Sequence, residues 1–188
     1  MGPAGAPVLA VSDWTIAAVV TAVILLLGAL YNQLLNKRVR CREAWTHLDV
    51  QLRRRSDQVA ALIRTLRTRL PEGTATLERL EAAHAAAGAA AGIRPRARAE
   101  EALAAVLREA LAVPPAATEP HLARLREELT STDNRIAFAR RQYNDFAAEY
   151  NAARRTLPAS LMARLLRLEA QDPFEPPPPE GPTPAGVE

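Results

Sequence analysis

From Trp14 to Leu30 the chain carries no charged side chain, and from Leu30 to Leu70 it carries neither proline nor glycine. The first stretch is mostly Ala, Val, Ile and Leu, and with Tyr31-Asn32-Gln33 and Leu34-Leu35 it reaches the length a helix needs to cross a hydrocarbon core of about 30 Å. A helix buried in a globular core keeps a wet face, and this one has none. The region before it, Met1 to Asp13, has no Lys or Arg, and no small-x-small site follows it, so the segment reads as an uncleaved anchor rather than a signal peptide. Asp13 lies on one flank and Lys37, Arg38, Arg40 and Arg42 on the other. Basic flanks stay in the cytoplasm, which puts the short N-terminus outside and the remainder inside. Trp14 and Tyr31 stand near the two ends, at the level amphipathic rings prefer.

Without a breaker, the membrane helix is expected to continue into the cytoplasm as one rod from Asp13 to Leu70, about 85 Å at 1.5 Å per residue. Its soluble half places Trp45, Leu48, Leu52, Val59, Leu62 and Leu66 at alternating spacings of three and four, one seam of a helix. Pro71 and Gly73 then end it. A second helix is expected from an N-cap at Thr74, with Leu77, Leu80, His84, Ala87 and Ala91 in its seam, stopped by Gly92 and Pro95. A third runs from about Arg96 to Ala112, with Leu103, Val106, Leu107, Ala110 and Leu111 on its apolar side, up to Val113-Pro114-Pro115. The last begins from an N-cap at Thr118, with Pro120 in its first turn, and carries the longest stripe: Leu122, Leu125, Leu129, Thr132, Ile136, Ala139, Tyr143, Phe146, Tyr150, Ala153 and Leu157, ended by Pro158.

Composition agrees with this pattern. Ala, Leu, Arg and Glu, the better helix formers, dominate, and aromatics are only 4%, which leaves little from which to build a sheet. The net charge is +3, with Lys37 the only lysine and the acids interleaved with arginines, the pattern of solvated helix faces rather than of a nucleic-acid surface. The single cysteine, Cys41, excludes an internal disulfide and reads as a small apolar residue near the inner interface.

Short connections make neighbouring helices antiparallel. The expected fold is therefore all-α, an N-terminal transmembrane helix continuing into an antiparallel four-helix bundle of long helices. Its parts are a short extracytoplasmic N-terminus over 1–12, a transmembrane helix over 13–35, a cytoplasmic bundle over 36–170 and a disordered Pro-rich tail over 171–188. The fourth helix should return to the membrane. The segment after it, with Leu161, Met162, Leu165 and Leu168 beside Arg155, Arg164 and Arg167, reads equally as an amphipathic helix on an anionic leaflet or as a fifth helix packed on the bundle's end.

Two stretches resemble the LemA family. The first is Tyr31-Asn32-Gln33-Leu34-Leu35, then Ala44-Trp45, then Leu48-Asp49-Val50-Gln51-Leu52-Arg53-Arg54-Arg55-Ser56-Asp57. The second is Glu128 to Asn144, with Asn134-Arg135-Ile136, Arg140 and Tyr143-Asn144 at its centre; Tyr150-Asn151 and Leu157-Pro158 fit the same pattern. The sequence departs from the family at Asp57-Gln58-Val59-Ala60-Ala61-Leu62, where relatives carry Pro-Asn, and around Pro71-Glu72-Gly73, where they carry His-Glu. The resemblance implies a bacterial-type single-pass membrane protein with a helical cytoplasmic body and no known reaction. Relatives occur in magnetosome membrane biogenesis, so membrane organisation is the implied theme.

Some of these residues invite a specific role. Arg55 falls in the seam between Leu52 and Val59, and a buried arginine is costly unless paired. It either snorkels to the bundle edge, or pairs with a carboxylate of the last helix such as Asp133 or with nearby Asp residues of its own helix. All three tyrosines are followed by asparagine, and Tyr143-Asn144 and Tyr150-Asn151 repeat at seven residues, as a hydrogen-bonded ladder between helices would. Arg53-Arg54-Arg55 reads as a solvated face. His47, His84 and His121 fall on different helices, so no metal site is expected.

The function that follows is a membrane-anchored scaffold or adaptor without catalytic activity or cofactor. Protein partners or self-association are expected, and nucleic acid is not. An enzyme would need a nucleophile with its base, paired carboxylates or a phosphate loop, and a nucleic-acid regulator would need a basic recognition helix; neither pattern stands out.

Overall fold

The computed structural model describes residues 8–68, 75–112 and 120–175, with side chains from Trp14 onward. The expected stops at Pro71, Gly73 and Val113 to Pro115, the caps at Thr74 and Thr118, and the tail over 176–188 lie outside these residues. The described chain is all-helical: α1 (Val8–Arg67), α2 (Ala75–Ala89), α3 (Ile93–Ala110), α4 (Pro120–Arg155) and α5 (Ala159–Leu165).

Helix α1 is one unbroken element of 60 residues, about 90 Å of rod. It begins at Val8, ahead of the expected Asp13, so helix extends into the segment read as the extracytoplasmic N-terminus. Every side chain from Trp14 to Leu26 is exposed, and burial begins in earnest at Leu34. Among the described residues this is the one helix long and apolar enough to cross a membrane, its apolar 18-residue window having a mean hydropathy of 2.2.

The packed half starts from an antiparallel pair. Lys37 meets Glu149 near one end and Arg55 meets Asp133 further along, so α4 descends as α1 rises. Against this pair lies a shorter hairpin, α2–α3, tied to α1 through Arg67–Glu81 and closed on itself by Arg79–Glu109. Gly92 turns the hairpin at φ 89°, a conformation open to glycine at little cost. Pro95 sits inside the first turn of α3 rather than before it, where its missing N–H removes no helical hydrogen bond; the helix therefore starts at Ile93 instead of Arg96. Ala91, expected in the α2 seam, is exposed beyond the helix end.

Because α2 and α3 have only 15 and 18 residues, the four helices are not all long. The hairpin covers the distal part of the α1–α4 pair, where Val59, Leu62, Leu80, Leu103, Leu107 and Leu129 form an apolar cluster. Below it a second cluster holds Cys41, Leu48, Leu52, Ala97, Ile136 and Tyr143. Its remaining wall is supplied by Phe174, which is buried and packs at a tilt against Trp45 at 5.7 Å between ring centroids. The chain through Glu175 is thus packed structure, contrary to a disordered tail starting at 171: one aromatic side chain gives this Pro-rich stretch enough apolar area to dock. A third cluster, Leu34, Tyr150, Ala163 and Leu168, closes the end where the apolar half of α1 departs.

The α4 stripe follows the expected positions to Tyr143 and again at Tyr150; between them Ala147 is buried and Phe146 only half-buried. Leu157, expected as its last member, is exposed because the helix stops at Arg155.

Candidate functional site

Three features involve the residues singled out by sequence: a charged layer in the core, a clasp on α4, and an open groove between α1 and α4.

The charged layer separates the distal and middle apolar clusters. Arg55 is 4% exposed and does not reach the bundle edge. Its guanidinium donates to the Glu100 carboxylate of α3, to the Glu100 carbonyl at 3.1 Å and to Asp133 of α4 at 3.2 Å. Glu100 is itself buried. The snorkelling reading fails for a physical reason: Glu100 offers, inside the bundle, the compensation that solvent would otherwise supply. Nothing in the sequence pattern distinguished Glu100 from the other acids of α3. Arg96, one turn earlier, lies 2.8 Å from Asp49, which also accepts from Arg53. Arg55 thus joins three helices at one level, and any sliding of α3 past α1 would separate two buried charges. Beside the layer, Ser56 and His84 are within 2.9 Å, which ties α2 to α1.

The clasp uses both Tyr-Asn pairs of α4. The expected ladder between helices does not form; both pairs grip the extended segment 168–175 instead. Tyr143 donates to the Asp172 carbonyl at 2.7 Å, and Tyr150 to the Glu169 carbonyl at 3.1 Å. The Asn151 amide donates to the Gln171 carbonyl at 2.7 Å while its oxygen accepts from the Gln171 N–H at 3.0 Å. Asn144 accepts from the Phe174 N–H at 2.8 Å and donates to Glu175 at 3.0 Å. Arg154 adds a bond to the Leu168 carbonyl at 2.9 Å. Seven-residue spacing puts both pairs on one face of the helix, at the pitch of a strand lying along it. An extended segment has no internal hydrogen bonds, so side-chain amides are what satisfy its backbone. Burial pushes the Tyr143 hydroxyl well above its usual range, with Cys41 and Asp172 adding to the effect. Burial raises Tyr150 and the Cys41 thiol too; for Cys41 the Tyr143 hydroxyl beside it partly offsets this.

The open groove is lined by His47, Gln51, Asn134, Arg135, Phe138 and Gln142. Asn134 and Arg135 are exposed there, while Ile136 between this pair and Ala139 turns into the core. Phe138 is 68% exposed, unusual for an aromatic side chain in the middle of a long helix.

The other signature residues have simpler places. Trp45 packs edge-on to Tyr143 at 5.5 Å. Tyr31, Asn32, Arg54 and Asp57 are exposed, and Arg140 is half-exposed beside Glu101. Pro158 opens the turn into α5. The basic run splits, with Arg53 and Arg54 in solvent and Arg55 inside. Glu81 and His84 stand at Glu-x-x-His spacing on α2, but Glu81 goes to Arg67 and His84 to Ser56. Among the described residues no three His, Cys, Asp or Glu side chains converge on a metal-sized space.

A search of curated proteins found no match to the chain. The sequence pattern that defines the LemA family matches residues 44–185, from the packed half of α1 through α4 and its clasp. The chain therefore belongs to the LemA family.

Proposed function

We propose that this LemA protein is a single-pass membrane protein whose N-terminus lies outside the cell membrane and whose helical body stands in the cytoplasm as a non-catalytic scaffold for other proteins. The observation that carries the reading is the continuity of α1. About seventeen turns of apolar and bundle-forming helix run without a break, so the body is held at a fixed height and orientation rather than on a flexible linker. Lys37, Arg38, Arg40 and Arg42 directly follow the apolar stretch, which favours retention of that side in the cytoplasm.

The scaffold part rests on the open groove. Asn134 and Arg135 belong to a family signature yet leave no contact in the core, and with Gln51 and the exposed Phe138 they offer an aromatic anchor ringed by hydrogen-bonding groups. That is the composition of a docking surface for a partner helix or a second copy. A C-terminal fusion to a reporter active only in the cytoplasm, combined with proximity labelling in cells, tests both halves. The account expects reporter activity, and a set of labelled neighbours that is lost in the Phe138→Ala, Arg135→Ala variant. An exported C-terminus, or labelling unchanged by the groove substitutions, would contradict it.

A further inference from the structure

Helix α5 is built inside out. Its buried face is the small pair Ala159 and Ala163, while Leu161 and Leu165, one turn apart, are 62% and 81% exposed. Leu157 just before the helix and Leu166 at its end are exposed as well. A helix packing only for stability buries its leucines, since each contributes far more than an alanine when removed from water. The leucines here are withheld from the bundle although α5 is firmly docked: Ala163 and Leu168 pack on Leu34 and Tyr150, and the Tyr150 and Arg154 clasp holds the following backbone.

The height of this face is fixed by its partner. Among the residues with described side chains, Leu34 is the first buried one of α1, and it stands at the end of the apolar run. The α5 segment therefore sits where α1 leaves the bundle, only about 6 Å along the rod from Leu30. Around the leucines lie guanidinium groups: Arg154, Arg155, Arg164 and Arg167 line one concavity with Leu157 and Leu161. Exposed leucines rimmed by arginines at the foot of an apolar helix match the chemistry of the boundary between lipid headgroups and acyl chains.

We infer that α5 is a second membrane contact: its Leu157, Leu161 and Leu165 face enters the headgroup–acyl boundary of the leaflet on the bundle's side, with the surrounding arginines on anionic lipid phosphates. The inference rests on α1 spanning the bilayer. A leaflet, rather than a protein, is the occupant because the face lies at the level where the apolar half of α1 ends and carries the basic charge an anionic surface attracts. With two contacts the bundle cannot rotate freely about α1, and one side of it is always presented to the membrane plane.

The test uses the full chain reconstituted in vesicles containing phosphatidylglycerol, in a Cys41→Ala background. Single cysteines at Leu25, Leu165 and His121 carry an environment-sensitive fluorophore, with nitroxide lipids as shallow or deep quenchers. The Leu25 probe should be quenched by deep nitroxides, the Leu165 probe blue-shifted and quenched by shallow ones, and the His121 probe by neither. Replacing phosphatidylglycerol with phosphatidylcholine should reduce quenching at Leu165 and leave Leu25 unchanged. If Leu25 is quenched while Leu165 behaves like His121, the α5 contact is refuted and the anchor stands. If Leu25 itself is not quenched, the anchor reading fails and the α5 contact with it.

Discussion

Replacing Arg55 by methionine keeps an unbranched apolar stem but leaves Glu100 buried without its main partner. Breaking a buried ion pair from one side costs about 3–5 kcal/mol, because the surviving charge is uncompensated. The lower end applies here, about 3 kcal/mol, since Arg96 lies 3.8 Å from the other Glu100 oxygen and takes over part of the compensation. The Asp133 contact adds little, because that carboxylate is 42% exposed and water replaces the lost partner; Asp133→Asn alone should cost about 0–1 kcal/mol. Removing both buried charges, as Arg55→Met with Glu100→Leu, should recover stability to within about 1 kcal/mol of the parent. Urea unfolding in mild detergent measures these differences, with Trp45 as the sole tryptophan in a Trp14→Phe background; Trp45 packs against Tyr143 and Phe174 and reports directly on the middle of the bundle. A loss below about 1 kcal/mol for Arg55→Met, or a double variant as unstable as the single one, would refute the reasoning that a buried, mutually compensated pair sets this layer.

Phe174→Ala removes the aromatic wall of the middle cluster and should cost about 3 kcal/mol, with segment 168–175 becoming sensitive to protease before the helices are. Asn151→Ala breaks the two reciprocal bonds to Gln171 and should cost about 1–2 kcal/mol, read by the same urea titration. Tyr143 and Cys41 hold their protons more tightly in the fold than in the unfolded chain. Their contribution is complete below the unfolded values, about 8.5 for the thiol and 10 for the phenol, and is lost as pH rises beyond them. Stability should therefore fall above about pH 8.5–10, and Tyr143→Phe should flatten the upper part of that decline in unfolding curves taken across the range.

The apolar run, the unbroken rod and most of the seams could be read directly, because helix periodicity and breakers are local properties. Leu48, Leu52, Val59 and Leu62 are buried as their spacing requires. Features that depend on which elements meet were less legible. Glu100 looks like any solvated acid of an amphipathic helix until α3 is placed against Arg55. The Tyr-Asn repeat announced a hydrogen-bonding face but not its partner, since an extended segment has no periodicity of its own to find. Phe174 was hidden among prolines, where composition argues against a core and a single well-placed ring overrides it. The exposed leucines of α5 were visible as residues, yet their inversion relative to Ala159 and Ala163 needed the packing of Leu34 to be seen.

The claim on which the whole account stands is that α1 is one rod, half in lipid and half in the bundle. Spin labels placed singly along α1, at Val19, Val23, Leu26, Val39 and Arg64, in the full chain reconstituted into vesicles, test it through their accessibility to oxygen and to a water-soluble nickel complex. The account predicts high oxygen and low nickel accessibility at Val19, Val23 and Leu26, reversing by Val39 and remaining reversed at Arg64. Nickel access at Val23 equal to that at Arg64 would place the apolar half in water and contradict it.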